Sequence, residues 1–165
     1  MIQTPYLIRL ELAHDADAIE ALHELSFGPG RFARTAFRLR EGVPHDPDLS
    51  FVALFGDRFG GAVRLTPIRI GDDPALLLGP LAVHPDFAGR GAGKALVGVA
   101  LDAARAAGHK LVLLVGDHPY YGPLGFARVP VGQITMPGPV DPNRLLLAEL
   151  APGAAGGARG LCGKP

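Results

Sequence analysis

The stretch Leu76–Leu101, LLLGPLAVHPDFAGRGAGKALVGVAL, limits what this chain can become more than any other. An apolar run from Leu76 to Val83 reads as a strand, His84-Pro85-Asp86 as a turn, and Gly91 to about Ala107 as a helix stopped by Gly108. Leu96, Val97, Ala100, Leu101 and Ala104 fall on one side of that helix, with Lys94, Asp102 and Arg105 on the other. Such a helix packs its apolar side on a sheet. Between strand and helix, Gly89-Arg90-Gly91-Ala92-Gly93-Lys94 places a glycine at every second position. Backbone N–H groups can crowd there with no side chain in the way. A helix start leaves about four N–H groups without intrahelical partners, at the positive end of the dipole. That arrangement binds phosphate oxygens, so a ligand carrying a phosphate or pyrophosphate is expected.

Spacing excludes two phosphate-binding motifs. A P-loop needs glycine where Ala88 stands and Ser or Thr where Ala95 stands. A G-x-G-x-x-G dinucleotide fingerprint started at Gly89 ends on Lys94, and started at Gly91 ends on Leu96. What fits is strand, x-x-G-x-G, helix, and there the chain closely resembles the GCN5-related N-acetyltransferases (GNAT). A second motif of that family, Y-x-x-x-G-F, is matched by Tyr121, Gly125 and Phe126. The family usually opens its first motif with Gln or Arg; Ala88 stands there, which removes a side-chain contact and leaves the amide cradle. The resemblance covers most of residues 6–150 and is diagnostic over about 76–126.

Around this centre the chain reads in order. Ile8, Leu10 and Leu12 alternate with Arg9 and Glu11 as a half-buried strand. Asp15 and Asp17 open a helix with an apolar stripe of Ile19, Leu22 and Leu25, stopped by Gly28-Pro29-Gly30. A second helix is expected over Arg31–Arg40, with Arg31, Arg34 and Arg38 on one face. That face is either solvated or, as the resemblance implies, partly in the acceptor pocket. Phe51–Phe55 and Gly61–Ile70 form a hairpin around Gly56-Asp57, with a bulge expected at Pro67, where the apolar phase slips. Pro80 cannot donate to a ladder, so Gly79-Pro80 marks where the central strand parts from its neighbour. Lys110–Val115 reads as a buried strand parallel to Leu76–Val83. Val129–Met136 and Arg144–Leu150 are further strands, joined by a rigid loop at Pro137–Asn143. One domain over residues 1–150 is expected, then a poorly ordered Gly/Ala/Pro-rich tail over 151–165.

The resemblance implies a mixed α/β fold. Its central sheet of six to seven strands is mixed but largely antiparallel, splayed between the fourth and fifth strands and flanked by about four helices. It also implies acetyl-CoA as co-substrate, with the pantetheine arm bonded like an extra strand to the backbone of Leu81 and Val83. The implied cofactor-contacting set is Leu81, Ala82 and Val83 on the strand, and Ala88, Gly89, Arg90, Gly91, Ala92, Gly93 and Lys94 at the crossing. The acetyl group would pass directly to an amine on a small molecule or peptide, without a covalent enzyme intermediate. Tyr121 is the candidate donor to the departing thiolate. Asp117, four residues earlier, is the candidate base, unless it caps the short helix that follows. Tyr120 is expected to pack, His84 to serve its turn and His118 to flank the pocket. The acceptor site would draw on the first two helices and the loops around His45 and Gln133. A non-catalytic acyl-CoA sensor or interaction module on the same scaffold is the alternative.

Composition narrows the setting. Acidic and basic residues balance at 16 each, so nothing draws the chain toward nucleic acid or an anionic membrane. The opening MIQTPYLIRLEL lacks the basic flank and apolar block of a signal peptide, and Cys162 is the single cysteine. A cytoplasmic setting is expected, with no metal site and with a homodimer allowed.

Overall fold

The computed structural model describes residues 5–165. One long hairpin forms its spine. β2 (Phe51–Phe55), β3 (Arg58–Ile70) and β4 (Asp73–Val83) pair antiparallel in that order, and β1 (Leu7–Leu10) adds antiparallel to β2. β5 (Leu111–Val115) lies parallel to β4 after a crossover through α3 (Ala92–Ala106). Beyond β5 come β8 (Leu145–Glu149) and then the short β6 (Ala127–Arg128). β9 (Gly160–Gly163) pairs with the end of β3 and, in parallel, with β7 (Ile134–Thr135). The sheet is thus mixed and largely antiparallel, with more strands than sequence reading expects because β6, β7 and β9 are short.

Period-2 alternation sorts the core. Leu76 and Leu78 of β4 face α3 and meet Leu96, Val97 and Ala100, all fully or nearly fully buried. Leu77, between them, faces the other way with Ile70, Leu113 and Leu147. Each fully buried leucine contributes about 1.5–3 kcal/mol. On that second side α1 (Ala16–Phe27) covers Val52 and Ala62 through Ile19 and Leu22. Asp15 anchors the start of α1: Arg9 donates to its carboxylate twice, at 2.8 and 2.9 Å, and the Leu12 N–H donates at 2.7 Å.

Several expectations are corrected. Leu10, Leu12 and Leu25 stay largely exposed, and on α1 it is His23 that turns inward beside Leu22. The expected helix over Arg31–Arg40 is broken: a 3-10 turn covers Pro29–Ala33, Arg34 is extended, and α2 spans Thr35–Arg40. Arg31 is drawn inward to the Gly28 carbonyl and Glu20, while Arg38 points to solvent, so the three arginines share no face. The β3–β4 register shifts at Arg64, opposite Gly79–Pro80, not at Pro67, which pairs in register with Leu76. Pro67 is tolerated because β2 pairs with β3 only as far as Val63 and β9 joins only from Arg69. Arg64, at the shift, donates to both oxygens of Glu11 (2.9 and 3.1 Å). The expected strand over Val129–Met136 is cut by a turn carrying Pro130 and Gly132, leaving Val131 almost fully exposed. The expected poorly ordered tail instead docks through β9, with Cys162 fully buried and the Gln133 amide donating to the carbonyls of Ala155 and Ala158. No helix among the described residues is long and apolar enough to cross a membrane.

His23 is 3% exposed, packed among Phe27 and Phe37, and its Nε2 has no partner among the described residues. Burial, helped by the nearby Arg64, pulls it down to about 4. A base whose folded value lies below its unfolded one stabilises the fold above the unfolded value, near 6.5, and loses that contribution as pH falls toward 4. His23→Phe is therefore expected to spare about 2–3 kcal/mol of the stability that the parent loses between pH 7.5 and 4.5. Urea unfolding at the two pH values measures it.

Candidate active site

Parallel pairing between β4 and β5 covers Leu76↔Val112 and Leu77↔Leu113 and then stops, while both strands run on. Past that point every second N–H and C=O along the facing edge of β4 lacks a strand partner. The gap opens into a cleft of about 910 Å³. Leu81 and Val83 line it from one side and Leu114 and Val115 from the other; Ala82, pointing away, is buried against α1. Arg40, Gly79 and Pro80 border it near the fork, while Asp117, Tyr120 and Tyr121 come from the end of β5 and from α4 (His118–Tyr121).

At the mouth of the gap the chain turns through Pro85–Phe87 and enters α3. His84 caps the turn, its Nδ1 accepting from the Asp86 N–H at 3.1 Å, so it is the turn residue expected. Gly89 and Gly91 have φ of +77° and +82°, and Gly91 stands at the N-cap with no side chain accepting from the first helical N–H groups. Those donors are left for a ligand. Ala88, Gly89 and Gly91 are exposed, whereas Ala92 and Gly93 are buried. Gly93 makes room for a close approach: a Cβ there would lie 2.5 Å from the Tyr120 hydroxyl, which would have to move. Tyr120 therefore packs across the first turn of α3, with the Lys94 ammonium 5.7 Å from its ring centroid. The Arg90 guanidinium lies over the stacked Phe55 and Phe87 rings, 6.0 and 5.6 Å from their centroids, so its backbone faces the loop while its side chain closes the core.

Tyr121 is held edge-on by Tyr120 (4.8 Å between centroids) and Phe126 (5.9 Å). Its hydroxyl makes no hydrogen bond among the described residues, and burial, with Tyr120 and Asp117 close by, pushes it up to about 12. It is therefore a proton-bearing donor at any ordinary pH. Asp117 does not cap α4 with its side chain; it accepts from Arg144 Nε at 3.1 Å, and its carboxylate is mostly exposed. Its backbone carbonyl accepts from the N–H groups of Tyr120 and Tyr121.

On the acceptor side the structure revises the set. Arg34 lines the cleft, whereas Arg31 is spent on Glu20 and Arg38 is outside. His45 pairs with Glu11 at 3.1 Å and lines a second cavity of about 440 Å³; Gln133 is tied to the C-terminal segment. His118 lies under Gly122. Thr35, Phe37, Arg40 and Asp141 were not singled out by sequence and all line the cleft. Thr35 Oγ1 donates to the Pro139 carbonyl at 2.7 Å, fastening α2 to the 137–143 loop. The one signal for Arg40 was its place at the end of the expected helix.

Comparison with known proteins agrees with this geometry. The profile of the Acetyltransferase (GNAT) family matches residues 16–126. The chain is 29% identical over 160 residues to the uncharacterized N-acetyltransferase YhbS of Escherichia coli K12, covering 94% of this chain and 93% of that one. The crystal structure of Escherichia coli YhbS in complex with CoA superposes with a TM-score of 0.84 at 27% identity, covering 100% of this chain and 92% of the other. A GNAT family acetyltransferase from Brucella melitensis in complex with acetyl-CoA gives a TM-score of 0.61 at 26% identity, covering 93% and 99%.

Proposed function

This chain belongs to the GNAT acetyltransferase family, and on that premise we propose that it moves an acetyl group from acetyl-CoA to a primary amine by direct attack. The observation that carries the proposal is the fork itself: β4 and β5 part after Leu77 into a cleft into which Tyr121 brings a hydroxyl with no other partner. The relatives crystallised with CoA and acetyl-CoA support the same cofactor here.

In this account the N–H groups of Gly89–Lys94 hold the diphosphate and the free edge of β4 at Leu81–Val83 takes the pantetheine arm. A free N–H near Leu81 donates to the thioester oxygen as it becomes an oxyanion. Tyr121 donates to the departing thiolate. Asp117 accepts the proton that the amine sheds, through water. Direct attack suits the chain because Cys162 is fully buried beneath β9 and burial pushes its thiol up to about 11, so it offers no acyl carrier.

Thiol release from acetyl-CoA with a panel of primary amines tests the reading. Turnover above the rate without amine is expected. CoA binding with no amine-dependent thiol release would leave the non-catalytic sensor in its place. Within that assay, Asp117→Asn is expected to lower kcat/KM about tenfold or more, as loss of a proton acceptor does. An unchanged value would remove Asp117 from the mechanism.

A further inference from the structure

The cleft carries a charge that acetyl transfer does not use. Arg40, the last residue of α2, stands in the wall that the main cleft shares with the second cavity, beside Phe37 and Pro80. Its Nε is sealed from solvent without a partner among the described residues, and Nη2 reaches only the Leu78 carbonyl at 3.4 Å, a long contact. No carboxylate among the described residues lies within ion-pair distance: Asp117 pairs with Arg144 and Glu20 with Arg31. The Phe37 ring, 5.2 Å from the guanidinium carbon, offsets only part of the missing counter-charge. A charge left without a counter-ion in a half-buried wall is destabilising. Burial indeed pulls Arg40 down to about 9, with Arg64 adding to it, yet it stays charged at neutral pH.

Its place on the sheet is defined. The guanidinium lies close across β4 at Gly79, whose φ of +125° favours glycine and where a Cβ would come to 2.6 Å from Arg40 Nη2. That crossing is two residues beyond Leu77, at the fork where the reaction would take place.

We propose that Arg40 is the anion-binding residue of the acceptor site and that the acceptor is an amine bearing a carboxylate, the guanidinium gripping the carboxylate through its terminal nitrogens. This rests on the transferase reading for the identity of the ligand as an acceptor. Arg34 and Arg144 also line the cleft, but Arg144 is paired with Asp117, and the planar Arg40 guanidinium beside Phe37, Leu78 and Pro80 matches a planar group with two coplanar acceptors. The ion pair forms in a half-apolar wall, where charge-assisted bonds are strong and a neutral amide leaves the guanidinium unpaired.

The test separates binding from turnover. CoA-saturated protein is titrated calorimetrically with N-acetylglycine, N-acetyl-β-alanine and 4-acetamidobutyrate, each against its primary amide. At least one carboxylate is expected to bind about tenfold or more tightly than its amide, and Arg40→Gln to abolish that difference. Arg40→Lys, which keeps the charge but not the fork, is expected to restore part of it, and circular dichroism checks that each variant folds. No carboxylate binding, or equal discrimination in the parent and Arg40→Gln, overturns the proposal. Thiol release with glycine, β-alanine and 4-aminobutyrate is read separately. Arg40-dependent binding without thiol release keeps the anion site and removes the transferase reading. Thiol release with uncharged amines and no Arg40-dependent binding does the reverse.

Discussion

Replacing Tyr121 with phenylalanine is expected to lower kcat about 10- to 150-fold while leaving the dissociation constant for CoA within about threefold. The ring stays, so its edge-on contacts with Tyr120 and Phe126 and its place in the cleft are kept. Only the hydroxyl goes, and a hydrogen bond to a charged group is worth about 1.5–3 kcal/mol. The role is donation more than outright proton transfer. With Tyr121 near 12 and a free thiol near ~8.5, the two lie about 3.5 pH units apart, roughly 5 kcal/mol uphill for full transfer. Tyr121 therefore stabilises the nascent thiolate, which takes up a proton from solvent while the cationic nitrogen of the tetrahedral adduct gives one up to Asp117 through water, leaving a neutral amide and thiol. A further consequence is pH behaviour: Tyr121 keeps its proton up to about pH 11, so rates should climb with deprotonation of the amine and show no alkaline loss before then. Steady-state kinetics beside CoA titration of the same variant read both effects. Unchanged turnover would take Tyr121 out of the chemistry.

Gly91→Val is expected to act at the other end, weakening CoA about 10- to 150-fold, the value of one or more lost bonds to a charged diphosphate. At φ +82° a β-branched residue is strained by about 1–2 kcal/mol, and it relaxes by turning the loop out of the conformation that points the first N–H groups of α3 outward. Acetyl-pantetheine, which has the thioester but no diphosphate, provides the contrast. Its turnover should be nearly unaffected in Gly91→Val and impaired in Tyr121→Phe. Equal losses with both thioesters in Gly91→Val would mean that the variant damages the cleft as a whole.

These two ends of the site differ from its third side in how far the sequence discloses them. Glycine spacing before an amphipathic helix and Y-x-x-x-G-F are local signals, and the fork follows from Gly79-Pro80 because a proline cannot continue a ladder. The acceptor side is built by tertiary contacts that leave no local mark. Arg31, Arg34 and Arg38 look alike at helical spacing, yet the chain breaks at Arg34 and Thr35 is pinned by Pro139, a residue more than a hundred positions away. Arg40 comes to lie across β4 at Gly79, a contact between residues about forty positions apart. The C-terminal segment misleads for a related reason. Its Gly/Ala/Pro composition reads as a tail, but β3 extends beyond β2 and offers an edge that Gly160–Gly163 fills, sealing Cys162. In the same way Pro130 and Gly132 override an apolar pattern that alone reads as one strand.

The most direct measurement is amide hydrogen exchange of the free protein against the protein saturated with CoA, resolved by residue. Protection is predicted in two separated patches, the unpaired edge of β4 around Leu81–Val83 and the start of α3 from Gly91 to Ala95, with little change in β1 or β2. Full saturation with CoA but no protection in either patch would contradict the account, since the cofactor would then lie elsewhere than between the parted strands and the uncapped helix.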